Sequence, residues 1–142
     1  MAEHLFEYLR NLDLPCDYAI FGSGPLLVRG IIKASNDLDV LCGPEAWGEV
    51  CKKGKKIRLR DYGLDVVSML NDRITFGTHW GIGDFDTAAL IESAEELEAL
   101  RFVRLEYVEA YKLIRLSDKD KQHLIALREY LQNNEIRHTA IQ

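Results

Sequence analysis

The sequence predicts an α/β (α+β) domain in which a small mixed sheet is flanked by helices and followed by a C-terminal helical appendage. Short apolar segments in the first half of the chain have the length of buried strands, and the last third carries apolar residues at helical spacing. The 142 residues, 47% of them hydrophobic, suffice for one sizeable core. We therefore expect a single domain over residues 1–142, with a core at about 12–91 and C-terminal helices at about 92–132.

The first elements are predicted to alternate between helix and strand. Residues 3–11 carry apolar side chains on one helical stripe, whereas residues 17–21 form an apolar run that stops at a glycine. Pro25 is tolerated in the first turn of a helix and favours a helix over residues 26–32. A turn then leads to a second strand, predicted over residues 37–41.

The middle of the chain predicts further elements of both kinds. Residues 45–51 have room for one or two helical turns, and a basic turn at 52–56 follows. Residues 57–60 alternate like a half-exposed edge strand, and 64–69 form a third apolar run that predicts a buried strand. Residues 71–86 are rich in Gly, Asp and Thr, which predicts a loop.

The C-terminal third is predicted to be helical. Residues 92–100 form a short acidic segment, and residues 105–116 and 119–131 show helical periodicity. Ser117 or Asp118 would be the N-cap of the last helix, because short polar side chains accept hydrogen bonds from the first free amides of a helix.

Composition and charge exclude several classes of protein. No apolar run approaches the roughly 20 residues that span a bilayer, and the first residues lack the pattern of a secretory signal, so we expect a cytoplasmic protein without a membrane partner. The three cysteines are odd in number and far apart, which favours small core residues over disulfides or a zinc site. The net charge of −5 opposes bulk attraction to nucleic acid, although a local patch that holds a small RNA or DNA stays open.

Gly22 and Ser23 stand between the end of a predicted strand and the start of a predicted helix. Backbone N–H groups at such a junction point outward, and the dipole of the following helix adds partial positive charge. Glycine allows close approach of the backbone, and the serine hydroxyl can donate one further hydrogen bond. The pattern therefore predicts a phosphate site.

Three aspartates occupy strand patterns that are otherwise apolar. Asp37 and Asp39 are two positions apart, so both carboxylates point to the same face of their strand. Two neighbouring carboxylates repel each other, and together they provide the hard oxygen ligands that Mg²⁺ prefers. Asp65 is a third acid in an apolar strand, where a carboxylate is costly without a partner. If the two strands are neighbours, the three acids can form a two-metal site.

These residues resemble the signature of the nucleotidyltransferase superfamily related to DNA polymerase beta. That signature is an apolar strand ending in Gly-Ser or Gly-Gly, then a helix, then Asp-hydrophobic-Asp; thirteen residues separate Ser23 from Asp37 here, and Asp65 matches the family's third carboxylate. Within the superfamily, the chain is most similar to small prokaryotic members of the abortive-infection and toxin–antitoxin type. The C-terminal helical segment of those proteins is echoed by Lys112, Arg115, Lys119 and Asp120.

The resemblance implies a nucleotidyltransferase fold and a metal-dependent transfer of a nucleoside monophosphate from an NTP to a hydroxyl acceptor, with release of pyrophosphate. The acceptor would be a protein, an RNA or a small molecule, and the short chain suggests either a small acceptor or a partner protein that supplies recognition. Mg²⁺ or Mn²⁺ would be held by Asp37, Asp39 and Asp65. The nucleotide would contact Gly22, Ser23, Arg29, Lys112 and Lys119. The alternative is an antitoxin-like or partner-dependent binding module of the same fold without independent activity.

Several of these residues also have plain structural interpretations. The three acids can be surface or capping carboxylates, and Asp84-Phe85-Asp86 is a competing Asp-x-Asp. The basic run over residues 52–60 fits a solvated hairpin as well as a nucleic-acid contact. Residues 77–83 fit either a lid that places Trp80 on a base or a structural loop. The cations that would contact the nucleotide can equally be surface residues, namely Arg29, Lys112 and Lys119.

Overall fold

Helices and strands alternate around one mixed sheet, which confirms the predicted α/β class. The computed structural model describes residues 2–61, 63–79 and 86–141, with side chains over 3–134 of these. The helices are α1 (Ala2–Leu12), α2 (Gly24–Val28), α3 (Pro44–Lys53), α4 (Thr87–Glu92), α5 (Leu105–Arg115) and α6 (Asp118–Ile141). The strands are β1 (Tyr18–Phe21), β2 (Leu38–Cys42), β3 (Lys55–Leu59), β4 (Leu64–Met69), β5 (Ile74–Gly77), β6 (Glu95–Leu97) and β7 (Leu100–Phe102). Over the described ranges, no helix combines the length and the apolar character that crossing a membrane requires.

The strands lie side by side in the order β3-β4-β5-β2-β1-β7-β6. β1 is antiparallel to β2, so the end of β1 and the start of β2 meet at the same edge of the sheet. β2 is parallel to β5, and β1 is parallel to β7. The other neighbouring pairs are antiparallel. β2 is therefore the middle strand, and its residues 39–41 pair on both sides.

Helices cover both faces of the sheet, and each face has its own core. On one face, α1 and α3 pack against side chains that include Val40 and Phe76. On the other face, α4, α5 and α6 pack against side chains that include Phe21 and Leu41. Because side chains alternate along a strand, Asp39 points to the same face as Leu41 and therefore towards the C-terminal helices.

Most predictions for the first 70 residues are confirmed, with shifted boundaries. The predicted helix at 3–11 is α1, and the predicted strand at 64–69 coincides with β4. β3 is the outermost strand, as the alternating pattern predicts for an edge. The predicted basic turn at 52–56 is wrong, because α3 continues to Lys53 and β3 begins at Lys55.

The prediction of a loop over residues 71–86 is wrong for Ile74–Gly77, which form β5 between β2 and β4. Ile74 and Phe76 are fully buried. The strand has only four residues, and the turn before it contains three residues with positive φ angles of 55–65°, Leu70, Asn71 and Asp72. So short an apolar pattern is hard to distinguish from the surrounding turn residues.

The predicted helix at 92–100 is also wrong. Those residues form the end of α4 and most of a hairpin made by β6 and β7, and β7 pairs with β1. The hairpin turns at Glu98 and Ala99, whose φ angles are 52° and 63°. Two positive φ angles in succession are typical of a type I′ turn, which usually carries Asn-Gly or Asp-Gly. Without that signal, the acidic composition favoured a helix.

The corner between α5 and α6 contains one of the two predicted capping residues, Ser117. Leu116 ends α5 in the left-handed conformation, with φ at 50°. Ser117 caps α6: its Oγ accepts from the amide of Asp120 at 3.1 Å, and its carbonyl accepts from the amide of Lys121 at 2.9 Å. The α5 prediction is confirmed, and α6 extends ten residues beyond the predicted end at residue 131, to Ile141.

Replacing Phe76 with Ala tests the central position of β5. The side chain is fully buried, so its truncation leaves a cavity, and we expect the free energy of unfolding to fall by about 3–5 kcal/mol. Thr78→Ala, at an exposed position just beyond the strand, should change it by less than about 0.5 kcal/mol. Denaturant unfolding measures both variants. Small and equal effects would contradict a central strand at this position.

Candidate functional site

A polar pocket lies where β1 ends and β2 begins, against the corner of α5 and α6. Its volume is about 50 Å³. It joins residues from two distant parts of the chain. The lining residues are Gly22, Ser23, Asp37, Asp39, Tyr111, Lys112, Arg115, Lys119 and Asp120.

The Gly22–Ser23 turn forms one side of the pocket. Gly22 has a φ of 64°, and a Cβ placed on it would lie 3.1 Å from Oδ2 of Asp39. The glycine therefore lets the backbone pass close to this carboxylate. Ser23 is the N-cap of α2, and its carbonyl accepts from the amides of Leu26 and Leu27. Because α2 has only five residues, its dipole adds less positive charge than the sequence led us to expect.

The two aspartates at the start of β2 differ in their surroundings. Asp37 is exposed, and the Ser35 hydroxyl lies 3.3 Å from its Oδ1. Asp39 is partly buried. Burial, and then the charge of Asp37, raise the pKa of Asp39 to about 6, against the opposing charges of nearby cations. A pair of acids of this kind gains stability when a cation neutralises it.

Three cations form the opposite side of the pocket. Lys112 and Arg115 come from α5, and Lys119 from the first turn of α6. Lys112 is buried, and burial lowers the pKa of its ammonium while the hydrogen bond to Asp120 works against that change. The positive charges of all three lower the pKa of Asp39 and so offset part of the rise that burial and Asp37 cause. The pocket thus places Asp37 and Asp39 opposite three cations, with a third acid, Asp120, among those cations.

Six of the eight residues that the sequence predicts for the site line this pocket: Gly22, Ser23, Asp37, Asp39, Lys112 and Lys119. The structure adds Tyr111, Arg115 and Asp120, for which the sequence predicts no role of their own. Tyr111 packs edge-on against Phe21 at 4.5 Å between ring centroids. The spacing of 112 and 115 is a signal that one side of α5 carries two cations, but only the corner between α5 and α6 brings Lys119 beside them and places all three near Asp39.

Asp65 does not join the other two acids, so the predicted three-acid site is wrong. β5 lies between β2 and β4. Asp39 of β2 pairs with Thr75 of β5, and Thr75 pairs with Ser68 of β4. Asp65 is three residues from Ser68 and therefore points to the opposite face of the sheet. There its carboxylate lies 3.4–3.7 Å from exposed cations of β3, Arg58 and Lys56.

Arg29 is also absent from the pocket lining, contrary to its predicted role in nucleotide binding. Its guanidinium forms an ion pair with Glu95 of β6 and donates to the carbonyl of Pro25 at 3.2 Å. These contacts tie the end of α2 to the hairpin. The side chain therefore has a structural explanation.

The competing Asp-x-Asp and the predicted lid fall largely outside the described residues. Residues 80–85, which include Trp80, Asp84 and Phe85, are not described. Asp86 is the N-cap of α4, and its Oδ1 accepts from the amide of Ala89 at 3.3 Å. That aspartate is a capping residue.

The acids of the pocket fit one hard metal ion. Among the residues that the structure describes, no group of three or more His, Cys, Asp or Glu side chains has the arrangement of a metal site. Mg²⁺, however, commonly binds through one or two carboxylates and completes its shell with phosphate oxygens and water. Asp37 and Asp39 satisfy that smaller requirement.

Comparison with known proteins assigns no family. No family model, no curated protein and no solved structure matches the chain.

Asp39 predicts a stability that depends on pH. Its pKa is raised from 3.8 to about 6 in the folded protein, so folded Asp39 keeps a proton that the unfolded chain releases. The contribution of Asp39 to stability therefore falls as pH rises from about 4 through about 6. In metal-free buffer, Asp39→Asn should be more stable than the wild type at pH 7, by up to about 3 kcal/mol, and similar near pH 4. Denaturant unfolding across this range measures the difference, and a gap that is constant with pH would refute the assignment.

Proposed function

We propose that the chain is a metal-dependent nucleotidyltransferase of the nucleotidyltransferase fold. The pocket would bind the phosphates of an NTP and transfer the nucleoside monophosphate to a hydroxyl acceptor. One observation supports this most: acids at 37 and 39 and cations at 112, 115 and 119 line one pocket beside the Gly22–Ser23 turn. A triphosphate–metal complex needs both kinds of charge at one place.

Asp37 and Asp39 would hold the metal ion. Burial and the neighbouring charge of Asp37 raise the pKa of Asp39, and a divalent cation beside the two carboxylates would offset both effects. Bound Mg²⁺ or Mn²⁺ supplies charge neutralisation and polarisation of the phosphoryl group. The carboxylates themselves fix where that charge sits relative to the Gly22–Ser23 turn.

The cations and the turn would hold the phosphates. Lys112, Arg115 and Lys119 can stabilise the negative charge that develops on the leaving pyrophosphate. Gly22 has no side chain between the turn and Asp39, so a phosphate can approach the backbone. In the transfer, the acceptor oxygen would bond to the α-phosphorus as the bond from that phosphorus to the oxygen bridging to the β-phosphate breaks, and pyrophosphate would leave. The proton of the acceptor hydroxyl would pass to solvent or to a base that a partner supplies.

A second candidate is an antitoxin-like or partner-dependent module that binds the nucleotide without transferring it. The side chain beside Asp39 on the neighbouring strand, on the same face, is Thr75 and not an acid. The remaining carboxylate of the pocket, Asp120, is occupied by hydrogen bonds from Ser117 and Lys112. The described part of the pocket therefore offers no further acid to accept the proton, and a partner would have to supply it.

Thermal unfolding with each NTP, with and without Mg²⁺ or Mn²⁺, tests the binding that both candidates share. A ligand that binds only the folded state raises the midpoint, by the equivalent of about 2.7 kcal/mol at a hundred times its Kd. We expect a shift that requires both metal and triphosphate. It should be lost when Asp37 and Asp39 are both replaced with Ala. Asp65→Ala is the matched control and should keep the full shift, because Asp65 lies on the opposite face.

Transfer is followed separately, by release of pyrophosphate and by labelling from an α-labelled NTP. A shift with transfer supports the enzyme, and a shift without transfer in the presence of protein, RNA and small hydroxyl acceptors supports the binding module. The absence of any shift would contradict both candidates.

Thr75→Asp tests whether the position beside Asp39 is the missing third ligand. A carboxylate there adds negative charge at the acid pair, so we expect the affinity for Mn²⁺ to rise by about tenfold. Without metal, the variant should be less stable, because three carboxylates repel. Ser68→Asp carries the same charge one strand further away and should change the affinity much less. Calorimetric titration measures both, and equal affinities in the two variants would refute the placement.

A further inference from the structure

Asp120 is the most deeply buried carboxylate of the pocket, with 1% of its surface exposed. Its Oδ1 accepts a hydrogen bond from the Lys112 ammonium at 3.1 Å. Its Oδ2 accepts from the amide and the hydroxyl of Ser117, at 3.1 and 2.7 Å, and lies 3.3 Å from Nε of Arg115. Both oxygens are therefore engaged by groups from α5 and from the corner.

These contacts join the end of α5, the corner and the start of α6 at the carboxylate of Asp120. Lys112 and Arg115 belong to the last turns of α5, Ser117 is the corner, and Asp120 lies in the first turn of α6. The capping hydrogen bonds hold the carboxylate itself in place, because Ser117 and Asp120 each bond to the backbone amide of the other. A carboxylate fixed in this way restricts the two cations that it binds.

The charges agree with this arrangement. Burial works to raise the pKa of Asp120, but hydrogen bonds from Ser117 and Lys112 lower it below its usual value. The carboxylate is therefore charged at neutral pH. Without it, the buried Lys112 ammonium would lose its counter-charge and would favour either deprotonation or a turn towards solvent.

Asp120 leaves much of the bonding capacity of both cations unused. An ammonium has three N–H donors, of which Asp120 takes one, and the Arg115 guanidinium faces Asp120 through Nε. Arg115 also donates from Nη1 to the Tyr111 hydroxyl at 3.4 Å. An ammonium and a guanidinium each carry further N–H groups, which can donate to a ligand in the pocket.

We propose that Asp120 is the positioning residue of this pocket, which holds the Lys112 ammonium and the Arg115 guanidinium in place for a polyphosphate. The inference rests on the proposed function, because it concerns how the same pocket binds phosphate. Asp120, although negatively charged, would strengthen the binding of an anion. Simple electrostatics predicts the opposite sign, since removal of a negative charge should attract a polyphosphate more strongly.

The sign of the affinity change in Asp120→Asn therefore tests the proposal. The probe is inorganic tripolyphosphate with Mg²⁺, titrated calorimetrically into the full chain. We expect Asp120→Asn to bind about tenfold more weakly than the wild type, because the two cations are no longer held. Asp118→Asn makes the same charge change at an exposed position two residues away and should keep the affinity within about twofold.

Two further variants separate positioning from stability. Leu127→Ala removes a buried core side chain of α6, so its unfolding midpoint should fall, while its affinity below that midpoint stays unchanged. If Asp120→Asn does not fold, Asp120→Glu keeps the charge and displaces the carboxylate by one methylene. An undiminished affinity in that variant would overturn the proposal.

An NMR measurement on the Arg115 side chain distinguishes positioning of the guanidinium from a purely structural role of Asp120. The Nε–H signal of Arg115, assigned with Arg115→Lys, should show a protected hydrogen bond in the wild type and in Asp118→Asn. It should lose that protection in Asp120→Asn. No tripolyphosphate binding by the wild type would contradict the proposed function, whereas tight binding by both the wild type and Asp120→Asn would overturn only this inference.

Discussion

The antiparallel pairing of β1 with β2 is the constraint on which the pocket depends. Because Phe21 pairs with Asp39, the residue that follows β1 is brought against the acids that begin β2. That residue is Gly22, and its positive φ and missing side chain accommodate the carboxylate of Asp39. A shift of one residue in this register would turn Asp39 towards the core of α1 and α3, away from the cations of α5 and α6.

The cations reach the acids through the second core. Phe21 shares a sheet face with Asp39, and its ring packs on Tyr111 of α5. That contact places the end of α5 above the start of β2, and the tight corner at Leu116 returns the chain so that α6 adds Lys119. Apolar packing thus decides where the charges meet, although the charges make the site chemically distinctive.

The motif was recognisable because local chemistry determines it. The strand that stops at Gly22, the Asp37–Asp39 spacing and the Ser117 cap all depend on residues close in sequence, and the structure contains each of them. Asp65 and Arg29 were misplaced because their roles depend on which strands are neighbours. A buried four-residue strand, β5, intervenes before Asp65, and Glu95 of an unpredicted hairpin binds Arg29.

The sequence by itself determined the α/β class, most of the helices and strands of the first 70 residues, and the pair of acids beside a glycine turn. These follow from periodicities of two and 3.6 residues and from preferences of single side chains. Only the tertiary structure decided which residues line the pocket: it excluded Asp65, added Arg115 and Asp120, and put Thr75 beside Asp39. Those choices depend on strand order and helix packing, which are set by the burial of the whole apolar surface and are not encoded in any short segment.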